Sequence, residues 1–364
     1  MNFEYRMPTK IIFGKDVVSN NKDLFKEFGS NPILVTGNNS AKANGSQRDV
    51  ISALQNKNPI IWDEVEENPT LKNVEQGGKM ARDGNVDYVI AIGGGSPLDA
   101  AKAVAVLGVN RITPKELYDP KTYTKKPLPI IAIPTTAGTG SEVTPYSVLT
   151  VTDQETKMSF ASDDLFPKVA LLDPKYTETM SNDLTINTAI DALSHLLESF
   201  FTIKASPMSQ FMVVQGLEAF AKCWDALIKG NFNLEIREKL LYASMIAGIA
   251  IAQTGTTLVH SLGYSLTYYK GIHHGRANGL LMVQYLEYLN SSYPDMVKLA
   301  LNAMGFDTLY KFSTVINQLI KKVELSNDEI LLYVKKAENT KATLNTLRKP
   351  SLADLYSILR NSTS

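Results

Sequence analysis

At 364 residues the chain is too long for one small core, and its 44% hydrophobic and 20% charged content is that of an ordinary globular protein. Its 37 basic and 37 acidic residues cancel, which argues against a nucleic-acid-binding surface or a polybasic membrane anchor. The single cysteine, Cys223, excludes an intramolecular disulfide and, in the run AFAKCWDAL, reads as a small buried apolar position.

The opening MNFEYRMPTKIIFG carries Glu4, Arg6 and Lys10 and no long apolar core. No signal peptide is expected there and no transmembrane run elsewhere, so the expected location is the cytoplasm. Up to about residue 175, short β-branched runs alternate with amphipathic stretches. The runs are NPILVTG (31–37), NPIIW (58–62), VDYVIAIGGG (86–95), PLPIIAIPTT (127–136), YSVLTVTD (146–153) and KVALLD (168–173). Between them DLFKEF, QRDVISALQ, VEQGGKMARDG and DAAKAVAVLG place apolar residues at helical spacing. This alternation predicts βαβ units, with a parallel sheet covered by helices on both faces. From Leu184 onward the pattern turns to long helical stretches: LTINTAIDALSHLLESFFT, SQFMVVQGLEAFAKCWDALIKG and REKLLYASMIAGIAIAQTG. The predicted organisation is an α/β N-terminal domain over 1–180 and an all-helical C-terminal domain over 181–364. The terminal Asn-Ser-Thr-Ser is expected to fray.

Gly93, Gly94, Gly95 and Ser96 follow the apolar strand YVIAI and precede a helix. Glycines let a backbone approach a pyrophosphate, the helix N-terminus aims N–H groups at its charge, and Pro97 is expected at the first helical position. The spacing is not G-x-G-x-x-G, so an ordinary Rossmann assignment does not apply. A second loop, IPTTAGTGSEVT (133–144), concentrates hydroxyls and small residues after another buried strand, and two such loops point to a dinucleotide. In the loop VTGNNSAKANG (35–45) no acidic residue is available for a ribose 2′-OH. Small polar residues such as Ser40, together with Lys42, suit a 2′-phosphate instead, which predicts NADP(H) over NAD(H).

All four histidines, His195, His260, His273 and His274, lie in the second half. Asp191 and His195 are four apart, so on a helix they share one face and can hold one ion. Their neighbours Ala192, Leu193, Leu196 and Leu197 are apolar, and a buried aspartate needs a partner. His260 belongs to a helix-like run, TTLVHSLGYSLTYY, and the glycine-bracketed KGIHHG then returns the chain. One aspartate and three histidines suit a borderline divalent ion, Fe²⁺ or Zn²⁺. His273 and His274 are not easily both ligands, and spacing alone does not choose between them.

These segments carry a resemblance. MPTKIIFG, VTGNNSAKANG, EVEENPT, GGGSPLDAAKAVAV, IPTTAGTGSEVTPYSVLT, DALSH and TGTTLVHSLGY…KGIHHG are similar to the iron-containing (group III) alcohol dehydrogenases. They resemble most the NADP-linked 1,3-propanediol/butanol type, along nearly the whole chain. The resemblance implies a dinucleotide-binding α/β domain and a helical domain, in the dehydroquinate-synthase-like architecture. It implies metal ligands Asp191, His195, His260 and His274, with Fe²⁺ first and Zn²⁺ second, and leaves His273 beside the site. It matches Gly93 to Ser96 and Asp99 to the pyrophosphate loop and its helix, and Thr135, Thr136, Thr139 and Thr144 to the second cofactor loop. Lys157 matches a ribose-side contact and Asn68 a position near the adenosine. Gly37 stands where NAD-preferring members often carry aspartate.

The implied activity is hydride transfer between NADP(H) and a short primary alcohol, diol or aldehyde, in a homodimer or larger assembly. Two departures stand out. Many members carry a histidine four residues after the His260 position, where this chain has Tyr264, so Tyr264, His273 or a water chain become the candidates for the proton relay, with Tyr264 equally readable as a packed aromatic. The usual proline before the Asp191 helix is also missing in TMSND. Alternatives on the same scaffold are a glycerol or polyol dehydrogenase and, more remotely, a dehydroquinate-synthase-like lyase. The lyase needs a basic cluster, and Asp191 to Glu198 holds no Lys or Arg.

Overall fold

The structure, a computed structural model, describes residues 2–55 and 57–363. The chain divides into two compact units. One comprises Met7–Thr136 and Gly140–Met180. The other comprises Ser181 onward, the loop residues Ala137–Thr139 and the short N-terminal segment up to Arg6.

The first unit is built on a six-stranded sheet whose paired strands are all parallel, in the order β1-β8-β5-β4-β2-β3. Its strands are β1 (Lys10–Phe13), β2 (Pro32–Thr36), β3 (Ile60–Trp62), β4 (Tyr88–Gly93), β5 (Ile130–Pro134) and β8 (Val169–Leu172). The remaining pair, β6 (Tyr146–Val151) and β7 (Thr156–Ala161), forms a separate antiparallel hairpin. Side chains alternate across the central strands. Ile33, Val35, Val89, Ala91, Ile130 and Ala132 enter one core with Trp62, Val104 and Leu107. Leu34, Ile90, Ile92, Ile131 and Ile133 enter the other with Phe25, Val50 and Tyr176. With both faces covered, the strands read as continuous apolar runs rather than alternating ones.

The expected parallel α/β sheet is therefore present, with differences of detail. YSVLTVTD does not join it: β6 alternates half-buried and buried residues, as a hairpin packed on one side does. Strands β1 and β7 were not anticipated; β1 adds an edge beside β8. DLFKEF forms a tight 3₁₀ turn over Lys22–Lys26 instead of an α-helix.

The second unit is helical. The helix Asn182–Phe200 packs against Pro207–Ala221, Leu234–Thr254 and His274–Asn290, and Leu258–Lys270 packs against His274–Asn290 and Asn327–Ala337. Ser181 caps the first of these by accepting from the Leu184 N–H, so TMSND starts the helix without a proline. The stretch 209–230, read as one helix, breaks at Lys222 and Cys223 into Pro207–Ala221 and Trp224–Lys229. Cys223 is buried, as expected, and burial pushes its thiol up to about 11. The C-terminus does not fray over its described residues: Asn361, Ser362 and Thr363 complete the helix Leu352–Thr363, while Ser364 lies outside them. Among the described residues no single helix is long and apolar enough to cross a membrane; the pair Leu234–Thr254 and Leu258–Lys270 has the composition but bends by 112°.

Candidate metal centre and cofactor loops

In the helical unit every residue from Thr188 to Phe200 is buried. Asp191 and His195, one turn apart on that helix, are 3% and 5% exposed. His260 lies in the first turn of Leu258–Lys270 and is 2% exposed. One ligand atom from each of Asp191, His195 and His260 lies within 4.8 Å of the other two. The His195 and His260 rings stack with centroids 4.6 Å apart.

His274 opens its helix beside this group, its Nε2 3.7 Å from Asp191 Oδ1 and its ring edge-on to His260 at 5.0 Å. The glycine after it is required by close approach. A Cβ at Gly275 would collide with the Asn187 carbonyl and come within 2.9 Å of the Asp191 Cβ. His273 is the N-cap residue of the same helix. Like His274 it lies outside the three-residue cluster, and it affects Asp191 as the weakest of four histidine influences. Tyr264 stacks on His274, centroids 5.4 Å apart and planes 18° apart, so it packs on this imidazole pair.

The electrostatics suit a cation. Burial alone would raise the Asp191 carboxyl, but His195, His274, His260 and His273 outweigh it and bring it to about 2. Burial holds the His195 imidazole below its usual value, so the ring stays neutral at neutral pH with a lone pair to offer. A carboxylate and imidazoles converging from helix faces are a donor set that fits Fe²⁺ or Zn²⁺.

Two residues that sequence reasoning passed over complete this region. Asn278, one turn beyond His274, brings its amide Nδ2 to 3.0 Å from Asp191 Oδ1, 3.2 Å from His260 Nε2 and 3.3 Å from His274 Nε2. Glu198, wholly buried, accepts from the Thr257 N–H and hydroxyl, both at 2.7 Å, and from the His260 N–H at 3.2 Å. Its other oxygen meets His260 Nδ1. The available signal was an acid inside the apolar run LLESFF, seven residues from Asp191 on one helix face.

In the sheet unit the loops after β4 and β5 lie side by side. The Thr135 N–H donates to the Gly93 carbonyl at 2.9 Å, and a Cβ at Gly94 would sit 3.1 Å from the Thr136 side chain. Gly93 has φ +151°, and a Cβ there would strike Pro97. The helix begins at Gly95, so Pro97 is its third residue and not its first. Gly94, Gly95 and Ser96 are half-buried at this helix N-terminus.

Asn68, Ser96 and Lys157 come together as one cluster. The Asn68 N–H donates to Ser96 Oγ at 3.2 Å, and Lys157 Nζ donates to Asn68 Oδ1 at 2.9 Å. Asp99 and Thr144 turn inward instead. Asp99 accepts from the Ser141 hydroxyl at 2.6 Å and the Val148 N–H at 3.0 Å, which fastens the second loop and the hairpin to the glycine-loop helix. Beneath them Lys102, 1% exposed, donates to the Ser141 carbonyl, the Ser141 and Thr144 hydroxyls and the Tyr146 carbonyl at 2.6–3.3 Å. Burial lowers its ammonium to about 8, against the pull of Asp99 and Glu142. Thr135 is buried and Thr136 half-buried; Thr139 falls among the three loop residues that belong to the helical unit.

One expectation needs correcting. The loop after β2 has no acid in sequence, yet it has one in space: Lys42 Nζ pairs with Asp63 Oδ2 at 2.5 Å. Val35 and Trp62 are level in the parallel register, so the residue after β3 arrives beside that loop. Gly37 faces the Val65 carbonyl, and Ser40 is exposed.

A family model described as iron-containing alcohol dehydrogenase matches residues 8–174, and one for the C-terminal part of the Fe-containing alcohol dehydrogenase family matches 185–363. NADH-dependent butanol dehydrogenase B of Clostridium acetobutylicum is 32% identical over 331 residues, 88% of this chain and 85% of that one. A long-chain primary alcohol dehydrogenase of Thermoanaerobacter ethanolicus is 36% identical over 288 residues, 77% of this chain and 72% of the relative. A crystal structure of an iron-containing alcohol dehydrogenase from Thermotoga maritima superposes with a TM-score of 0.93 at 38% identity, over 100% of this chain and 99% of that one. The chain belongs to the iron-containing alcohol dehydrogenase family.

Proposed function

We propose that the chain transfers hydride between NADP(H) and a short primary alcohol or diol and its aldehyde, at a divalent ion held by Asp191, His195, His260 and His274. The observation that carries this is the convergence of Asp191, His195 and His260 on one buried point, with His274 3.7 Å from Asp191. The names of relatives acting on butanol and 1,3-propanediol support the substrate class, and a long-chain primary alcohol dehydrogenase among them supports the primary alcohol but not its length.

When bound, the ion supplies Lewis acidity toward the substrate oxygen. Asp191 offsets its charge, and the neutral imidazoles fix its position without adding charge. The glycine loop and the helix N-terminus at Gly95 receive the pyrophosphate through backbone N–H groups. Asn68, Ser96 and Lys157 then face the adenosine and ribose side, while Asp99 and Lys102 hold the second loop in shape from beneath. Tyr264 and His273 are the side chains we assign to the proton relay. The stacking of Tyr264 on His274 makes its ring a packing element whether or not its hydroxyl carries a proton. Y264F removes the hydroxyl and keeps the packed ring, and H273N removes the imidazole: the variant that loses the relay has a lower kcat and an altered pH profile, and a residue whose variant keeps both carries no relayed proton. The working unit is taken as a homodimer or larger assembly, to be checked by light scattering.

NADP(H) rests on Gly37 and on Ser40 and Lys42 beside it. NAD(H) is the alternative that two observations favour: Asp63 already neutralises Lys42, and several relatives are named NADH-dependent. The ratio of kcat/KM for NADPH and NADH decides, and a clear preference for NADH removes the NADP(H) assignment. Anaerobic purification with elemental analysis and an alcohol and diol panel tests the rest. Full activity in metal-free protein would refute the scheme, and a strong preference for glycerol would move it to the polyol dehydrogenases.

A further inference from the structure

We propose that Glu198 is a positioning residue of the metal centre, fixing the His260 proton on Nδ1 so that the Nε2 lone pair faces Asp191 and the ion. This rests on the metal assignment above and adds to it the reason one ligand is presented in the right tautomer.

The inference follows from hydrogen-bond logic around two atoms. An ionised Asp191 carboxylate can only accept, so the Asn278 amide turns its NH₂ toward it, at 3.0 Å. The same nitrogen lies 3.2 Å from His260 Nε2, a contact that is a hydrogen bond only when Nε2 accepts. A neutral imidazole that accepts at Nε2 carries its hydrogen at Nδ1, and the atom Nδ1 meets is a Glu198 carboxylate oxygen. The Glu198 carboxylate, which accepts, thus selects the tautomer a metal ligand needs, and the Asn278 contact on the other side of the ring agrees with it.

A plainer role for Glu198 is capping. Its Oε1 accepts the Thr257 and His260 N–H groups at the start of Leu258–Lys270, where no side chain of the helix itself caps them. Capping, however, uses only Oε1. Oε2 meets the imidazole, and a capping role gives no reason for it. The charges also balance: two buried carboxylates, one ligating and one acting through His260, match a divalent cation with neutral imidazoles.

The two roles separate in E198Q. The glutamine Oε1 can keep capping, but its NH₂ then faces Nδ1 and donates to it, which moves the histidine proton to Nε2 and blocks ligation. The expected result is a folded variant whose affinity for a divalent ion falls about ten- to a hundredfold. The probe is Co²⁺ titrated into chelator-stripped protein, read by competition with a chelator and by the visible spectrum of the bound ion. H260A serves as the reference for loss of the ligand itself. If E198Q binds Co²⁺ as tightly as the unaltered chain and with the same spectrum, Glu198 only caps and the proposal fails. If the unaltered chain takes up no stoichiometric Co²⁺, the metal assignment fails instead. Should E198Q not fold, ¹⁵N-histidine NMR of the stripped, unaltered protein still tests the proposal. With only four histidines to assign, a His260 signal of the Nε2–H tautomer would overturn it.

Discussion

The two candidate binding regions are built from opposite materials. In the helical unit the chemistry is carried by side chains of uncommon type, one turn apart on buried helices and backed by a second carboxylate. In the sheet unit it is carried mostly by backbone at glycine-rich strand ends, braced from beneath by Lys102 and Asp99. A metal asks for lone pairs at fixed points, which only side chains supply. A pyrophosphate asks for N–H groups and room, which a glycine loop at a helix N-terminus supplies better than any side chain. Damage to each should therefore show in a different ligand.

The largest separation is expected from H260A or D191A. Lewis-acid stabilisation is worth several kcal/mol, so kcat/KM should fall by roughly three orders of magnitude or more. Metal content, read by elemental analysis, should fall with it, while coenzyme binding by the stripped protein stays within about twofold. Retained metal in both variants would break the contrast. G93A is the mirror test. A side chain at φ +151° is strained and also meets Pro97. Strain of about 1–3 kcal/mol predicts a ten- to hundredfold weaker dinucleotide Kd by fluorescence titration, with metal content unchanged.

K102M should act in the same direction through shape alone. It leaves the Ser141 and Tyr146 carbonyls without their cation, at about 1–3 kcal/mol for each buried group left unsatisfied. A lower Tm and a raised coenzyme KM with little change in kcat are expected; an unchanged KM would remove Lys102 from the loop's support.

The smallest effect is expected at Glu142, 2% exposed, whose Oε1 has no partner and whose carboxyl burial pushes up to about 7. A folded-state pKa above the unfolded one means that the native chain holds the extra proton. The stability this confers is present below about pH 4.5 and is lost as pH rises through about 7. E142Q, which does not titrate, should gain stability relative to the unaltered chain across that window, by about 1–3 kcal/mol. Denaturant unfolding at pH 5 and pH 8 checks this; a difference independent of pH would show that Glu142 does not titrate there.

The same contrast governs what could be read in advance. Four histidines and an aspartate one turn from one of them are rare enough to announce a side-chain site; Asp191, His195 and His260 converge on one buried point, and His274 lies 3.7 Å from Asp191. Spacing could not separate His273 from His274, because the choice depends on where the helix starts and on the close approach of Gly275 to Asn187. Glu198 and Lys102 each stood as a charge within an apolar helix, a signal that a buried partner exists. Asn278 offered nothing, being a common residue whose role arises from packing. The parallel sheet was legible because burial on both faces makes continuous apolar runs; β6 was misassigned because its alternation was not weighed against that rule. Asp63 was missed because parallel register, not sequence proximity, puts it beside Lys42.

Asn278 has a consequence for how such an enzyme is made. Its amide donates to Asp191 and lies within 3.3 Å of His260 Nε2 and His274 Nε2, so the centre holds a donor without any ion. A chain arranged in this way can complete folding during synthesis and receive its iron afterwards, by trading an amide for a cation. Identity of the ion then depends on what the cell supplies after folding, and refolding in chelator should return a protein still competent to be charged.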